Sequence, residues 1–376
     1  MSIETGVFER YSEGAQTQQA DLCCPVDYDR ELLAILPQEI IDKDYGCGDP
    51  SRYVKKGDIV LDLGSGSGKI CYMAAQLVGA SGRVIGVDMN DDMLGLARKY
   101  QAKMAEKIGS DRVAFVKGQI QDLALDLQAL DAHLAENPIH SSQDVISLRT
   151  WQDQQRTKNP LIKDNSIDLV ISNCVLNLVH DSDKEKLIKE IFRVTKPGGR
   201  VAIADIVSDE FVPAHMKKDQ KLWSGCISGA LQEHAFLEAF VNAGFVAVAY
   251  DKWENEPWQV VEDIEFRSVT ITAIKPKEET AQDRGHAVIY RGPYSEVYDD
   301  DGYAYFKGIR MAVSDKMYAL LTSSGAYGED FIGIEPAEDF ATCEWNAEPG
   351  SLRSTDQTKG SSHKKDHTHT SVGCCG

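Results

Sequence analysis

Residues Ile59-Val60-Leu61-Asp62-Leu63 run straight into Gly64-Ser65-Gly66-Ser67-Gly68-Lys69, and an amphipathic segment continues through Leu77. The short apolar run reads as a buried strand. The glycines allow a tight reversal and a close approach of backbone to ligand, and the segment after them reads as a helix. A strand feeding a helix through such a loop commits the chain to a sheet whose next parallel strand lies one crossover away. The alternation continues, with strands expected at 83–88, 113–117, 167–172 and 200–205 and a helix at 93–108. The fifth strand follows the turn Lys196-Pro197-Gly198-Gly199, and a helix at 236–244 leads into a strand at 245–250. Strands alternating with helices predict an α/β fold with a parallel, doubly wound sheet.

Residues 1–57 read as a helical, partly polar leader that ends in the turn-rich Tyr45-Gly46-Cys47-Gly48-Asp49-Pro50. The sheet occupies 58–275. Within it the polar stretch 123–160 has little clear period and predicts an inserted loop or short helices. After Pro276 the alternation stops, and 280–345 is expected to form a small β-containing second domain, rich in Tyr, Val and Gly. Residues 346–376 carry Gly, Ser, Thr, Lys and His with almost no large apolar side chains, so a disordered tail is expected.

A formal net charge of -19 over 376 residues argues against a nucleic-acid partner, which would need clustered Lys and Arg. The start, Met1-Ser2-Ile3-Glu4, is too polar for a secretory signal. No apolar run approaches the roughly 18 residues of a membrane-spanning helix, and the expected location is the cytoplasm. The 9 cysteines, an odd number, suggest reduced thiols that do chemistry and not a disulfide framework.

Three cofactor classes compete for the glycine loop. A phosphate loop of the Walker type fails, because Ile70 stands where Ser or Thr should follow Lys69. A dinucleotide fingerprint fails as well, since the third glycine, Gly68, comes one residue early. The bland alternative is a tight strand-to-helix turn. The form Asp62-Leu63-Gly64-Ser65-Gly66-Ser67-Gly68, the acid Asp88 ending the second strand, the Lys196-Pro197-Gly198-Gly199 turn and Ala243-Gly244-Phe245 together resemble the class I S-adenosylmethionine-dependent methyltransferases over about 58–250. The resemblance implies a Rossmann-like sheet with Gly64, Gly66 and Gly68 along the methionine part of the cofactor. It implies Asp88 on the ribose, Met89 and Ile120 beside adenine, and Asp62 and Asn173 within the cofactor set.

Four cysteines fall near that crevice. Cys174 follows the fourth strand, where open α/β sheets bind ligands. Cys71 lies in the first turns of the first helix, whose N-terminus favours a thiolate. Cys226 sits among small residues in Ser224-Gly225-Cys226-Ile227-Ser228-Gly229, and Cys47 in the leader's turn. Each could equally be an inert core residue. A zinc ribbon is disfavoured by the absence of close Cys-x-x-Cys pairs. Cys23, Cys24, Cys343, Cys374 and Cys375 read as peripheral, and the last two with His363, His367 and His369 could bind metal or belong to the tail.

Taken together, Tyr45-Gly46-Cys47-Gly48, Lys69-Ile70-Cys71-Tyr72, Ser172-Asn173-Cys174-Val175-Leu176-Asn177 and Trp223-Ser224-Gly225-Cys226 are similar to the arsenite methyltransferases. Val288-Ile289-Tyr290-Arg291-Gly292, Phe306-Lys307-Gly308 and the closing Gly373-Cys374-Cys375-Gly376 are similar too. Two features depart from that family: a longer insertion at 123–160, and no cysteine just before Phe266. The resemblance implies methyl transfer to thiol-bound trivalent arsenic, with arsenite and methylarsenite as substrates and glutathione or thioredoxin as reductant. Valence separates the thiols: Cys174 and Cys226 form the expected core pair, Cys71 the expected third ligand for arsenite, and Cys47 completes or recycles the site. The rival readings are a methyltransferase of a sterol or quinone, indifferent to cysteine loss, and a protein that sequesters arsenic without turnover. A protein or RNA methyltransferase is disfavoured by the acidity.

Overall fold

Alternating burial along β1 (Ile59–Leu63) decides how the sheet is covered. In the computed structural model Leu61 and Leu63 pack into one core and Val60 into another, and in β4 (Ile167–Asn173) Val170 parts from Leu169 and Ile171 in the same way. Successive side chains of a strand point to opposite faces, so both faces need helices. The structure describes residues 3–17, 26–277, 279–323, 327, 329–336, 340–355 and 357–358.

In chain order the first unit opens with α1 (Ile3–Gln16), α2 (Arg30–Ala34) and α3 (Gln38–Asp42). Then come β1, α4 (Lys69–Leu77), β2 (Arg83–Asp88), α5 (Asp91–Lys99), α6 (Gln101–Ile108) and β3 (Val113–Lys117). Helices α7 (Leu127–Glu136) and α8 (Ser142–Lys158) precede β4, which is followed by α9 (Asp181–Val194) and β5 (Thr195–Ser208). The unit closes with α10 (Gln220–Ser224), β6 (Leu231–Gln232), α11 (Glu233–Asn242), β7 (Val246–Trp253), β8 (Gln259–Val261) and β9 (Ile264–Ile274). The sheet order is β3-β2-β1-β4-β5-β9-β7, with helices α4 and α5 in one core and α9 and α11 in the other.

Two differences from the sequence reading, and one alternative it left open, have local causes. The sheet is mostly, not wholly, parallel: β9 enters between β5 and β7 antiparallel to both. It arrives through a two-residue hairpin in which Glu262 and Asp263 take φ of 51° and 67°, the left-handed pair that suits a hairpin's twist. The insertion is two helices. Asp126 caps α7 from its side chain, and Ser141 and Asp144 form a capping box at α8. The expected helix at 93–108 is two helices that meet at Tyr100.

The second unit, 277–376, holds a three-stranded antiparallel sheet in which Ala287–Tyr290 lies between Arg310–Ala312 and Phe331–Ile334. Its core gathers Val288, Tyr290, Tyr305, Met311 and Phe331. The expectation of disorder from Asn346 is corrected as far as Thr358. Leu352 bridges to Met311, Arg353 is buried in an ion pair with Asp283 at 2.6 Å, and Arg310 donates to Thr358 O at 2.9 Å. Polar anchoring holds this stretch where apolar content could not. His363, His367, His369, Cys374 and Cys375 lie outside the described residues, as do Cys23 and Cys24. Among the described residues no helix is long and apolar enough to cross a membrane.

Arg353→Ala leaves the Asp283 carboxylate without its partner, at a cost of about 3 kcal/mol. Tryptic cleavage within 277–358 should then rise roughly a hundredfold. Calorimetric affinity for S-adenosylhomocysteine should not change, because every residue lining the cavity described below belongs to the first unit.

Candidate active site

The glycine loop reverses the chain at the carboxyl end of β1, with Gly64, Gly66 and Gly68 all at positive φ (66°, 50° and 86°). Only Gly66 faces open space: a side chain at Gly64 would strike Val175, and one at Gly68 would strike Phe115. Asp88, at the end of β2, accepts from Gly66 N at 2.8 Å and from Asn90 N at 2.9 Å, which pins the carboxylate to the loop. Burial raises its pKa from the ordinary value. Asp62, Gly66, Asp88, Met89, Ile120 and Asn173 all line a cleft of about 1060 Å³, a volume that includes space open to solvent. Gly64 lines it too, whereas Gly68 is behind the loop, against Phe115.

These residues fit S-adenosylmethionine on two grounds of their own. Ser65 lines the cleft with a buried hydroxyl that has no partner among the described residues. The open face of Gly66 lies next to a carboxylate whose remaining lone pairs can accept ribose hydroxyls. Lys69, which a phosphate loop would use on its ligand, is instead buried against Asp44 at 2.6 Å and lies over the Tyr28 ring. Burial alone would lower its pKa, but Asp44 and Tyr28 outweigh that and hold the ammonium charged.

The acceptor side is a second cluster. Cys47, Cys174, Cys226, Ala204 and Phe266 pack together at the ends of β4, β5 and β9. Cys47 and Cys174 are joined as a disulfide with Cα atoms 5.8 Å apart, which corrects the expectation that the thiols are all reduced. The reason is the docking of the leader's turn. Asn173 Oδ1 accepts from Cys47 N at 2.9 Å and Gly48 N at 3.0 Å, Asn173 Nδ2 donates to Gly48 O at 2.9 Å, and Ser268 Oγ donates to Cys47 O at 2.6 Å. Asn173, expected among the cofactor ligands, therefore spends its amide on that turn while still forming part of the cleft wall.

Cys226 approaches from the loop after α10, and its thiol donates to Cys174 O at 3.4 Å. Asn177 Nδ2 ties the loop to β5, donating to Ile206 O at 2.6 Å and to Cys226 O at 3.3 Å. Gly229 passes so close to Asn177 O that a Cβ would stand 1.9 Å from it. Both Cys174 and Cys226 hold positive φ, 60° and 62°, a conformation that costs a non-glycine residue about 1 kcal/mol or more and is concentrated at functional sites.

Cys71 is elsewhere. It packs in the α4 core, a different cluster, and its thiol donates to Asp62 Oδ2 at 3.1 Å. Burial, reinforced by Asp62, pushes its pKa well up, which overturns the thiolate expected from its helix-terminal position. Burial likewise pushes Asp62 up to about 8. Desolvation disfavours the charged form of either acid, and that outweighs a helix end.

Two further residues of the site carried no sequence expectation. Asp205, at the inner end of β5, brings a carboxylate oxygen within 4.8 Å of both sulfurs of the disulfide. It accepts from Leu176 N at 2.9 Å and from Ile206 N at 2.8 Å, and burial raises it to about 6. The strand-end rule that singles out Cys174 applies to it equally. Tyr11 of α1 lines the cleft and hydrogen-bonds Cys226, with burial and then Cys226 raising its phenol. Nothing in the sequence connects so distant a residue to the site.

Two outcomes follow for the free protein. Asp88→Ala should abolish S-adenosylhomocysteine binding by calorimetry while the far-ultraviolet spectrum stays unchanged. After reduction, Cys71 should react with iodoacetamide at pH 8 at least about tenfold more slowly than the exposed Cys343, because a thiol with a raised pKa keeps its proton there. Equal rates by mass spectrometry would show that Cys71 is a reactive thiolate after all.

The chain matches the family model described as Methyltransferase domain over 54–149 and 152–244, and one described as Domain of unknown function (DUF8838) over 277–363. It is 33% identical to an arsenite methyltransferase of Aquipseudomonas alcaligenes over 273 residues, 70% of this chain and 68% of that protein. It is 30% identical to the arsenite methyltransferase of Mus musculus, over 81% of this chain and 74% of that one. Among solved structures, an arsenic(III) S-adenosylmethionine methyltransferase from Chlamydomonas reinhardtii superimposes with a TM-score of 0.57 at 28% identity, covering 86% of this chain and 99% of the other. The glycine loop, the Asp88 carboxylate and these likenesses agree: the chain is an S-adenosylmethionine-dependent methyltransferase and belongs to the arsenite methyltransferase family.

Proposed function

We propose that this enzyme methylates trivalent arsenic held by its own thiolates, taking arsenite and then methylarsenite as acceptors in a cytoplasmic detoxification. The observation that carries the reading is the gathering of Cys47, Cys174 and Cys226 at the strand ends, with Cys174 in the wall of the cleft that Asp88 also lines. Soft trivalent arsenic prefers soft thiolate ligands. S-adenosylmethionine, when bound, supplies an electrophilic sulfonium methyl that the arsenic lone pair can take, which leaves arsenic formally pentavalent. Two electrons from a pair of thiolates, which leave as a disulfide, return it to the trivalent state of methylarsenite. No general base is required, because arsenic bound to sulfur has no proton to lose. The protein's task is placement, and good orientation lowers such a barrier by roughly 7 to 11 kcal/mol.

On this reading Gly64, Gly66 and the neighbouring Gly68 shape the methionine end, Asp88 takes the ribose, and Met89 and Ile120 flank adenine. Asp62 braces the loop through its hydrogen bond with Cys71. Cys174 and Cys226 bind arsenic at every stage. The third thiolate that arsenite can take, and methylarsenite cannot, is assigned to Cys47 in place of Cys71, since Cys47 shares the acceptor cluster and Cys71 does not. Arsenic can engage Cys47 and Cys174 only after their disulfide accepts two electrons and two protons. A thiol reductant of the glutathione or thioredoxin kind supplies both and leaves as its own disulfide.

The test is product speciation from four single Ser variants, each given S-adenosylmethionine, glutathione, and arsenite or methylarsenite separately. Cys174→Ser and Cys226→Ser should lose both reactions by about a hundredfold or more. Cys47→Ser should lose arsenite turnover and keep methylarsenite turnover, and Cys71→Ser should keep both. Full arsenite activity in all four would show that arsenic is methylated without these thiols and would sink the thiolate-bound arrangement. Arsenic binding without consumption of cofactor would mark a sequestering protein instead.

A further inference from the structure

Helix α1 touches both halves of the site. On one flank Asn90 Nδ2 donates to Phe8 O at 3.2 Å and to Ser12 Oγ at 2.9 Å. The backbone of the same Asn90 donates to Asp88, so α1 rests on the turn that fixes the ribose carboxylate. On the other flank Arg10 Nη1 donates to Ser224 Oγ at 2.8 Å and to Lys221 O at 3.1 Å, both in α10, two residues before Cys226 at the nearer. Between the flanks Val7, Phe8 and Tyr11 form part of the cleft wall.

Neither helix can hold its place alone. Isolated helices shorter than about 12 to 15 residues are marginal in water. At 5 residues α10 is far below that limit, and at 14 α1 barely reaches it. Each is positioned by what it rests on. The Arg10 guanidinium lies over Gly225, where a Cβ would come within 3.6 Å of Nη1. The cation also meets the last turn of α10, where exposed carbonyls favour it. A ligand that fills the cleft against Val7, Phe8 and Tyr11 stabilises the docked α1, and docked α1 presents Arg10 to the segment that carries Cys226.

We propose that Arg10 is a positioning residue for Cys226, and that through α1 the occupancy of the cofactor cleft sets how firmly the Cys226 segment is held. The coupling is reciprocal: an acceptor bound at Cys226 tightens the cofactor by the same factor that the cofactor tightens the acceptor. That this acceptor is arsenic rests on the function proposed above. The coupling between the cleft and the Cys226 segment does not, and it is tested without arsenic.

The measurement is hydrogen exchange of the full chain with and without S-adenosylhomocysteine. It follows the amides of Gly225, Cys226 and Ile227, which donate to Lys221 O, Trp223 O and Leu222 O. In the parent protein the ligand should slow their exchange by about tenfold. In Arg10→Met, which keeps the aliphatic stem, the ligand should still bind by calorimetry and slow them by no more than about threefold, the part that the Tyr11–Cys226 hydrogen bond carries. Ser224→Ala, which removes one of the two acceptors of Arg10 and leaves α1 untouched, should give an intermediate effect. Full slowing in both variants, or none in the parent, overturns the proposal.

Discussion

The carboxamide of Asn173 accepts from two successive backbone N–H groups of the leader and donates back to the same turn, all of it buried. Such a group is expensive to remove, since each orphaned N–H would cost about 1–3 kcal/mol. Much of the acceptor site depends on that exchange. It holds the turn against β4 closely enough that a Cβ on Gly46 would fall 2.1 Å from Asn173 Nδ2 and one on Gly48 would fall 2.5 Å from Ala204 Cβ. Cys47 is thereby brought to a partner 127 residues further along the sequence. A chain that lacked either glycine would keep its sheet and lose the meeting of the sulfurs.

The surroundings are arranged at a cost in stability. Cys174 and Cys226 hold left-handed backbones, and Asp62, Asp88 and Asp205 are carboxyls raised by burial. An acid whose folded pKa lies above its unfolded value favours folding fully below the unfolded value. It loses that contribution as pH rises toward the folded one. For Asp62, which reaches about 8 against an ordinary 3.8, that window spans the mildly acidic and neutral range. The free protein is thus held near its site by backbone donors to Asp88 and Asp205, by the Cys71 thiol on Asp62 and by the buried Lys69–Asp44 ion pair. Ligands that supply further donors to these carboxyls will stabilise it.

Strands β1 to β4 and helix α4 were legible because burial on two faces forces continuous apolar runs, and the glycine loop marked the crossing from strand to helix. β9 was not, because its antiparallel entry depends on Glu262-Asp263, a pair far weaker as a turn signal than Asn-Gly. Among the thiols, topology sufficed for Cys174 and Cys226, whose positions follow from a strand end and from a small-residue loop. It failed for Cys71. The helix-terminal rule there weighs a partial charge, while the sequence says nothing of the sheet that removes the thiol from water. Tyr11 and Arg10 were illegible for a different reason: their meaning lies wholly in what α1 rests on. The stretch from Asn346 to Thr358 was misread because one buried Arg353 pair can order a polar segment that composition alone assigns to solvent.

Once its disulfide is reduced, a sulfur cluster this deeply buried also restricts which form of the proposed acceptor can reach it. A divalent cation would have to shed its water and displace protons from thiols in apolar surroundings, where desolvated charge is costly. Neutral arsenous acid meets no such barrier. As each As–S bond forms, the thiol proton joins the departing hydroxide as water, so no charge is left in the core at any exchange. Cys226 in particular is only 5% exposed, a setting that penalises ions and admits an uncharged ligand. The net charge of -19, which would draw cations to the surface, therefore does not decide what occupies the site. Burial bears on it more directly, since an uncharged acceptor such as arsenous acid, the one proposed above, would cross apolar surroundings at less cost than a hydrated metal ion.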